Sequence, residues 1–192
     1  LVELEWKGPA LTFAWMTQQN PAFGPVLPDA GRVAAAYGLP GDAVLPGAPV
    51  EAVNCGSAFY LLALTTRAAV DQAALDARAL AAVFEAAGQP RRGVFIFSPE
   101  PGADGATVYS RMIGAAEDPA TGSASGPLGC YLVRHGLVPL DRASTIVSAQ
   151  GVKMNRPSRV HIRIDATAPD TITRVRVGGG SVLVGEGRLR AE

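Results

Sequence analysis

The sequence predicts an α+β fold in which a mixed or largely antiparallel sheet wraps a central buried helix. Three observations predict it. Short apolar runs with strand-like alternation outnumber the helical segments, and they lack the regular β-α-β order of a doubly wound sheet. The segment Leu128–Val133 has no polar face until Arg134, and a helix that is apolar all round is buried on all sides. Gly126 and Gly129 in the same stretch allow neighbouring backbones to come close.

In chain order, residues 1–6 and 10–16 alternate and are joined by Lys7-Gly8-Pro9, a hairpin signal. Gln18-Gln19-Asn20-Pro21 and Gly24-Pro25 read as a connector and as the place to divide the chain, into residues 1–25 and a domain over 26–192. Pro28-Asp29-Ala30 opens a short helix that Gly38 stops. Apolar runs at 50–54 and 58–65 flank the turn Asn54-Cys55-Gly56-Ser57. Val70, Leu75, Leu80, Val83 and Phe84 have helical spacing, which predicts one helix over 71–87. Strands are expected at 94–97, 106–112, 144–148 and 159–164, the last in strict alternation. Two more, at 171–177 and 181–184, are divided by Gly178-Gly179-Gly180, read as a tight turn.

The chain is organised around Glu117-Asp118-Pro119-Ala120-Thr121-Gly122-Ser123. Asp-Pro favours a turn, and Ser123 is the expected N-cap of the central helix, with Gly136 at its C′ position. Pro127 is expected in the first turn, which places the start near Ser123 or Ala124. Such a loop delivers free N–H groups at the positive end of a helix beside a carboxylate, an arrangement suited to an anion held next to a proton-handling group. The plainer reading of Glu117 and Asp118 is a turn with favourable charge at a helix start.

Composition narrows the function. Lys+Arg and Asp+Glu are both 17, so no bulk charge recruits nucleic acid or an anionic membrane. No apolar run approaches the roughly 20 residues that span a bilayer. With only Cys55 and Cys130 a disulfide scaffold is ruled out, and a reducing cytoplasm is the expected compartment. The two histidines and two cysteines have no metal-ligand spacing, so no metal is expected. Gly122-Ser123-Ala124-Ser125-Gly126 matches the G-x-S-x-G pattern with Ser125 as nucleophile, and Asp141 and His161 follow in triad order. The strand that must lead into such an elbow is missing from Asp118-Pro119-Ala120-Thr121, which counts against a serine hydrolase.

Three blocks resemble the PhzF-like phenazine-biosynthesis family: Glu117 through Ala124, Gln150 through Ser158, and Val175 through Gly187. The resemblance implies a diaminopimelate-epimerase-like fold of two similar domains with the active site between them. It implies a cofactor-independent isomerase or epimerase that moves a proton on a small carboxylate-bearing substrate. By motif match, Asp118 is the catalytic acidic residue, and Gly122 and Ser123 bind the substrate carboxylate through backbone N–H groups. The family's principal catalytic glutamate and its Gly-His block have no counterpart here. Residues 1–25 are therefore expected to be remnant strands of the first domain plus a linker, and the chain to be inactive alone and to form a homo-oligomer, such as a homodimer. The competing reading is a non-catalytic module for binding anions or a partner subunit.

Overall fold

The structure is a computed structural model and describes residues 1–188 and Arg190. Its strands are β1 (Val2–Lys7), β2 (Ala10–Gln18), β3 (Ala22–Leu27), β4 (Val50–Asn54), β5 (Ala58–Ala63), β6 (Gly93–Ser98), β7 (Val108–Ile113), β8 (Glu117–Asp118), β9 (Ile146–Gln150), β10 (Ser158–Ala168) and β11 (Thr171–Gly180). The helices are α1 (Ala30–Ala35), α2 (Arg67–Gln72), α3 (Ala77–Ala86) and α4 (Gly122–Arg134). The strands join one sheet in the order β1-β2-β11-β10-β9-β7-β6-β5-β4-β3, with β8 added on β7. The pairs β5–β6 and β7–β9 are parallel and the others antiparallel, so the sheet is mixed.

Both faces of the sheet centre are covered, which explains the near-continuous apolar runs there. Tyr60, Leu62, Leu64, Val94 and Ile96 face one core, shared with α1, α2 and α3. Their alternates Leu61, Ala63, Phe95 and Phe97 face a second core with α4. Helix α4 packs on β4 and β5 and also on β10 and β11, so the sheet curls round it. Every residue from Ala124 to Val133 is buried, as its composition requires. A Cβ on Gly129 would lie 2.5 Å from Ile162 Cγ2, so this glycine sets the approach of helix to sheet.

Several local expectations are corrected. The stretch read as a connector contains β3, where Gly24-Pro25 coincides with a register shift against β4, and the edge position tolerates the proline. The single helix expected over 71–87 is two. Thr66 caps α2, and Asp76 caps α3 by accepting from the Arg78 and Ala79 N–H groups. Between them, Nη1 of Arg111 donates to the carbonyls of Val70, Asp71 and Ala73, which satisfies the end of α2. The N-cap of α4 is Thr121, not Ser123, and Pro127 lies in the second turn. The N–H that Pro127 lacks would have bonded the carbonyl of Ser123, an exposed residue of the first turn.

Gly178-Gly179-Gly180 is not a turn: it extends β11 alongside Trp15, Ala14 and Phe13 of β2. A Cβ on Gly178 would meet the Phe13 and Trp15 rings at 2.7 Å, so this glycine makes room for them. The strand expected at 181–184 is not formed, and Val182, Leu183 and Val184 are exposed.

Gly129→Ala tests the helix–sheet approach. In an exposed helix this change stabilises, but here overpacking is expected to lower unfolding free energy by about 1–3 kcal/mol in urea titration.

Candidate functional site at the mouth of the central helix

The loop before α4 starts on β8, whose Asp118 and Glu117 pair with Met112 and Ile113 of β7. The two acidic neighbours do different things. Glu117 grips Arg111 with both oxygens, to Nε and Nη2 at 2.8 Å each. That bond outweighs burial and holds the Arg111 guanidinium protonated more firmly than usual. Asp118 faces solvent: its Oδ1 accepts the Ala120 N–H at 3.1 Å and its Oδ2 accepts the Thr121 hydroxyl at 2.9 Å.

At the start of α4 the Ala124 and Ser125 N–H groups turn back to the Thr121 carbonyl, while those of Gly122 and Ser123 find no protein acceptor among the described residues. Ser123 is exposed and Gly122 half-buried. A side chain at Gly122 would meet nothing within 4 Å. Two hollows flank this mouth, and Met16 lines both. One, of about 590 Å³, is lined by Gly122, Ala120, Arg159 and Gly178–Gly180; the other, of about 300 Å³, by Ser123, Gln18, Cys55 and Ser57. Asp118 lines neither, but Ala120, two residues on, does.

The carboxylate and the two amides that the sequence singled out therefore lie within six residues at an open helix mouth. Arg159 lines the larger hollow beside Gly122, with its Nη1 donating to the Asp104 carbonyl at 2.9 Å, while Ser123 opens on the smaller one, so the positive end of the helix borders two hollows. Among the described residues no group of three or more His, Cys, Asp or Glu side chains could hold a metal.

Sequence reasoning missed two contributors. Gln18 ends β2 and donates from Nε2 to the Gly122 carbonyl at 2.8 Å, across 104 residues of chain. Gln150 ends β9 and reaches the 118–121 turn from the buried side. Only Gln150 carried a signal, as the first residue of the second recurrent block.

The hydrolase reading is overturned. Ser125 is fully buried inside α4, and its hydroxyl donates to the Thr121 carbonyl at 2.8 Å, so no elbow exposes it. His161 lies on β10 with its ring edge-on to Phe13 and Trp15, 5.2 and 6.5 Å between centroids. Asp141 sits in a short 3₁₀ turn over Leu140–Arg142.

Partial burial, and then the charges of Arg159 and Arg163, hold the His161 imidazole below its ordinary 6.5. The folded state therefore favours neutral His161, and the unfolded chain takes the proton first as pH falls. Its contribution is complete above about 6.5 and shrinks from there down to the folded value. His161→Phe is expected to lose less stability than the parent chain between neutral pH and about pH 5 in urea titrations.

The family described as phenazine biosynthesis-like protein (PhzC-PhzF) matches residues 10–187. The uncharacterized isomerase YddE of Salmonella typhimurium is 31% identical over 177 residues, 88% of this chain and 58% of its own length. The trans-2,3-dihydro-3-hydroxyanthranilate isomerase of Pseudomonas aeruginosa is 32% identical over 154 residues, 80% of this chain and 51% of its own. A solved structure described as a predicted epimerase, from Pseudomonas aeruginosa, covers all of this chain at TM-score 0.71 and 30% identity, with 63% of that chain matched. A PhzF-family structure from Bacillus anthracis has TM-score 0.77 at 16% identity over 99% of this chain and 64% of its own, a likeness of fold alone. The chain thus spans between half and two thirds of each of these relatives.

Proposed function

The chain belongs to the phenazine biosynthesis-like (PhzC-PhzF) family, and from that premise we propose that it carries the carboxylate-binding half of an isomerase or epimerase centre. The observation that carries the reading is the pair of unpartnered N–H groups, on Gly122 and Ser123, at the open end of α4 and beside Asp118. Two adjacent N–H donors at a positive helix end suit the two oxygens of a small carboxylate. Such binding places the substrate carbon frame toward Asp118, whose carboxylate takes up or returns a proton at carbon.

Moving a proton from one carbon to another needs a base within reach of both positions or a second acid. In this reading the second group comes from the part of the relatives outside the matched region. The reaction is a proton transfer with no cofactor, and this chain binds the carboxylate without turning it over. Two cysteines are too few for a disulfide scaffold, which fits a reducing, cytoplasmic setting.

The β1–β2 hairpin supports a further part of the reading. Val2, Leu4, Trp6 and Met16 are 43–59% exposed. Val2 pairs with Met16, so these side chains form one apolar strip. We propose that the rest of a family chain covers this strip, and that the bare chain self-associates through it. Light scattering should then give a dimer or larger species; a monodisperse monomer contradicts this.

Titrating the ¹⁵N-labelled chain with trans-2,3-dihydro-3-hydroxyanthranilate tests the site. The Gly122 and Ser123 amides are expected to shift first and most, without deuterium entering the ligand from D₂O. Shifts elsewhere, or robust turnover by this chain, contradict the reading. In a chain extended to the relatives' full length, Asp118→Asn should lower turnover at least about a hundredfold. Ser125→Ala should leave it within a few-fold.

A further inference from the structure

We infer that Gln150 is a positioning residue that sets the direction of the hydrogen bonds around Asp118 and so aims its carboxylate, an inference resting on residues 118–123 being the proposed centre. Gln150 is fully buried at the end of β9. Its Oε1 accepts the Thr121 N–H at 2.9 Å, and its Nε2 donates to the Asp118 carbonyl at 2.7 Å and to Thr121 Oγ1 at 2.9 Å. A backbone N–H can only donate and a carbonyl can only accept, so these two partners fix which way the amide faces.

The third bond then has a consequence. Because Nε2 donates to Thr121 Oγ1, the hydroxyl is free to point its own proton at Asp118 Oδ2, 2.9 Å away. The Ala120 N–H holds Oδ1. Both oxygens of an exposed carboxylate are therefore tied to the protein, in an order that starts from a buried amide: Gln150 to Thr121 to Asp118. An exposed aspartate without such a chain rotates freely between rotamers.

This gives the second recurrent block a role. Gly151 follows with φ 73°, and a Cβ there would meet the Arg156 carbonyl oxygen and lie 2.8 Å from that of Pro119. The turn after β9 thus lies directly against the backbone of the 118–121 turn. Gln150 and Gly151 form its back wall, and only glycine at 151 lets the two backbones touch while adopting this left-handed conformation.

The test reads the free chain, without ligand, so its outcome is separate from that of the carboxylate titration. Amide hydrogen exchange reports each bond, and the ¹³C signal of the Asp118 carboxyl reports its surroundings. Thr121→Val removes the relay and keeps both backbone bonds of Gln150. Ala120 is expected to exchange about tenfold faster, the Asp118 signal to move, and the amide of residue 121 to stay protected. Thr121→Ser, which keeps the hydroxyl, should restore Ala120 protection and the Asp118 signal. Gln150→Leu should speed exchange at both Ala120 and Thr121 about tenfold or more, with the Leu128–Val133 amides unchanged. If Thr121→Val leaves the Ala120 rate and the Asp118 signal at their parent values, Gln150 only fills a turn and the inference is overturned. The same holds if Thr121→Ser behaves like Thr121→Val. Gln150→Met, which keeps the side-chain length and removes its donor and acceptor, serves if Gln150→Leu fails to fold: faster Ala120 exchange and a moved Asp118 signal are expected, and parent values for both overturn the inference.

Discussion

The enclosure of α4 is the constraint on which the rest of the structure depends. Ten consecutive residues of this helix, Ala124 to Val133, are buried, and strands from distant parts of the sheet touch it. A helix so enclosed cannot present a side to a ligand. It can present only an end, and its two ends are treated differently. At the C-terminal end, His135 Nε2 lies 2.8 Å from the buried Glu51, and the Tyr131 hydroxyl donates to the Pro49 carbonyl at 2.8 Å. At the N-terminal end, Gly122 and Ser123 open on hollows. A hollow of about 480 Å³ also borders Pro49 and His135, but only the N-terminal end leaves N–H groups without an acceptor among the described residues, and its dipole attracts anions.

The division of labour between Glu117 and Asp118 follows from strand geometry. Successive residues of a strand point to opposite sides, so the short β8 sends Glu117 inward and Asp118 outward. Inward, the carboxylate meets Arg111, which itself ties down the end of α2. Outward, it stands at the helix mouth. One acid holds the scaffold together and the next faces solvent, a separation that a two-residue strand achieves without extra chain.

Much of this was legible in the sequence because it rests on local rules. The absence of a polar face in Leu128–Val133 implied burial, and Asp-Pro followed by Thr-Gly-Ser implied a turn into a helix start. What stayed hidden depends on distant partners. Nothing near Asp76 says that Arg111 will cap the preceding helix and let the chain break there. The three glycines at 178–180 look like a turn until their pairing with Trp15, Ala14 and Phe13 of the neighbouring strand is known. Gln18 and Gln150 reach the site from 104 and 29 residues away, and glutamine carries no local signature of such a role. Pro127 misled for a different reason: it sits one turn deeper in the helix than the usual tolerance for proline allows, at the loss of one hydrogen bond to the Ser123 carbonyl.

The central claim is that the enclosed helix holds a carboxylate on the Gly122 and Ser123 amides. It has a structural rival, since Arg163 stacks 4.1 Å over the Trp15 ring beside a separate hollow of about 330 Å³ that could also attract an anion. A crystal structure of the chain with benzoate, the simplest aromatic carboxylate, separates the two most directly. The account expects both carboxylate oxygens about 2.7–3.2 Å from the Gly122 and Ser123 nitrogens. A carboxylate seated on Arg163, with the mouth of α4 empty, would contradict it.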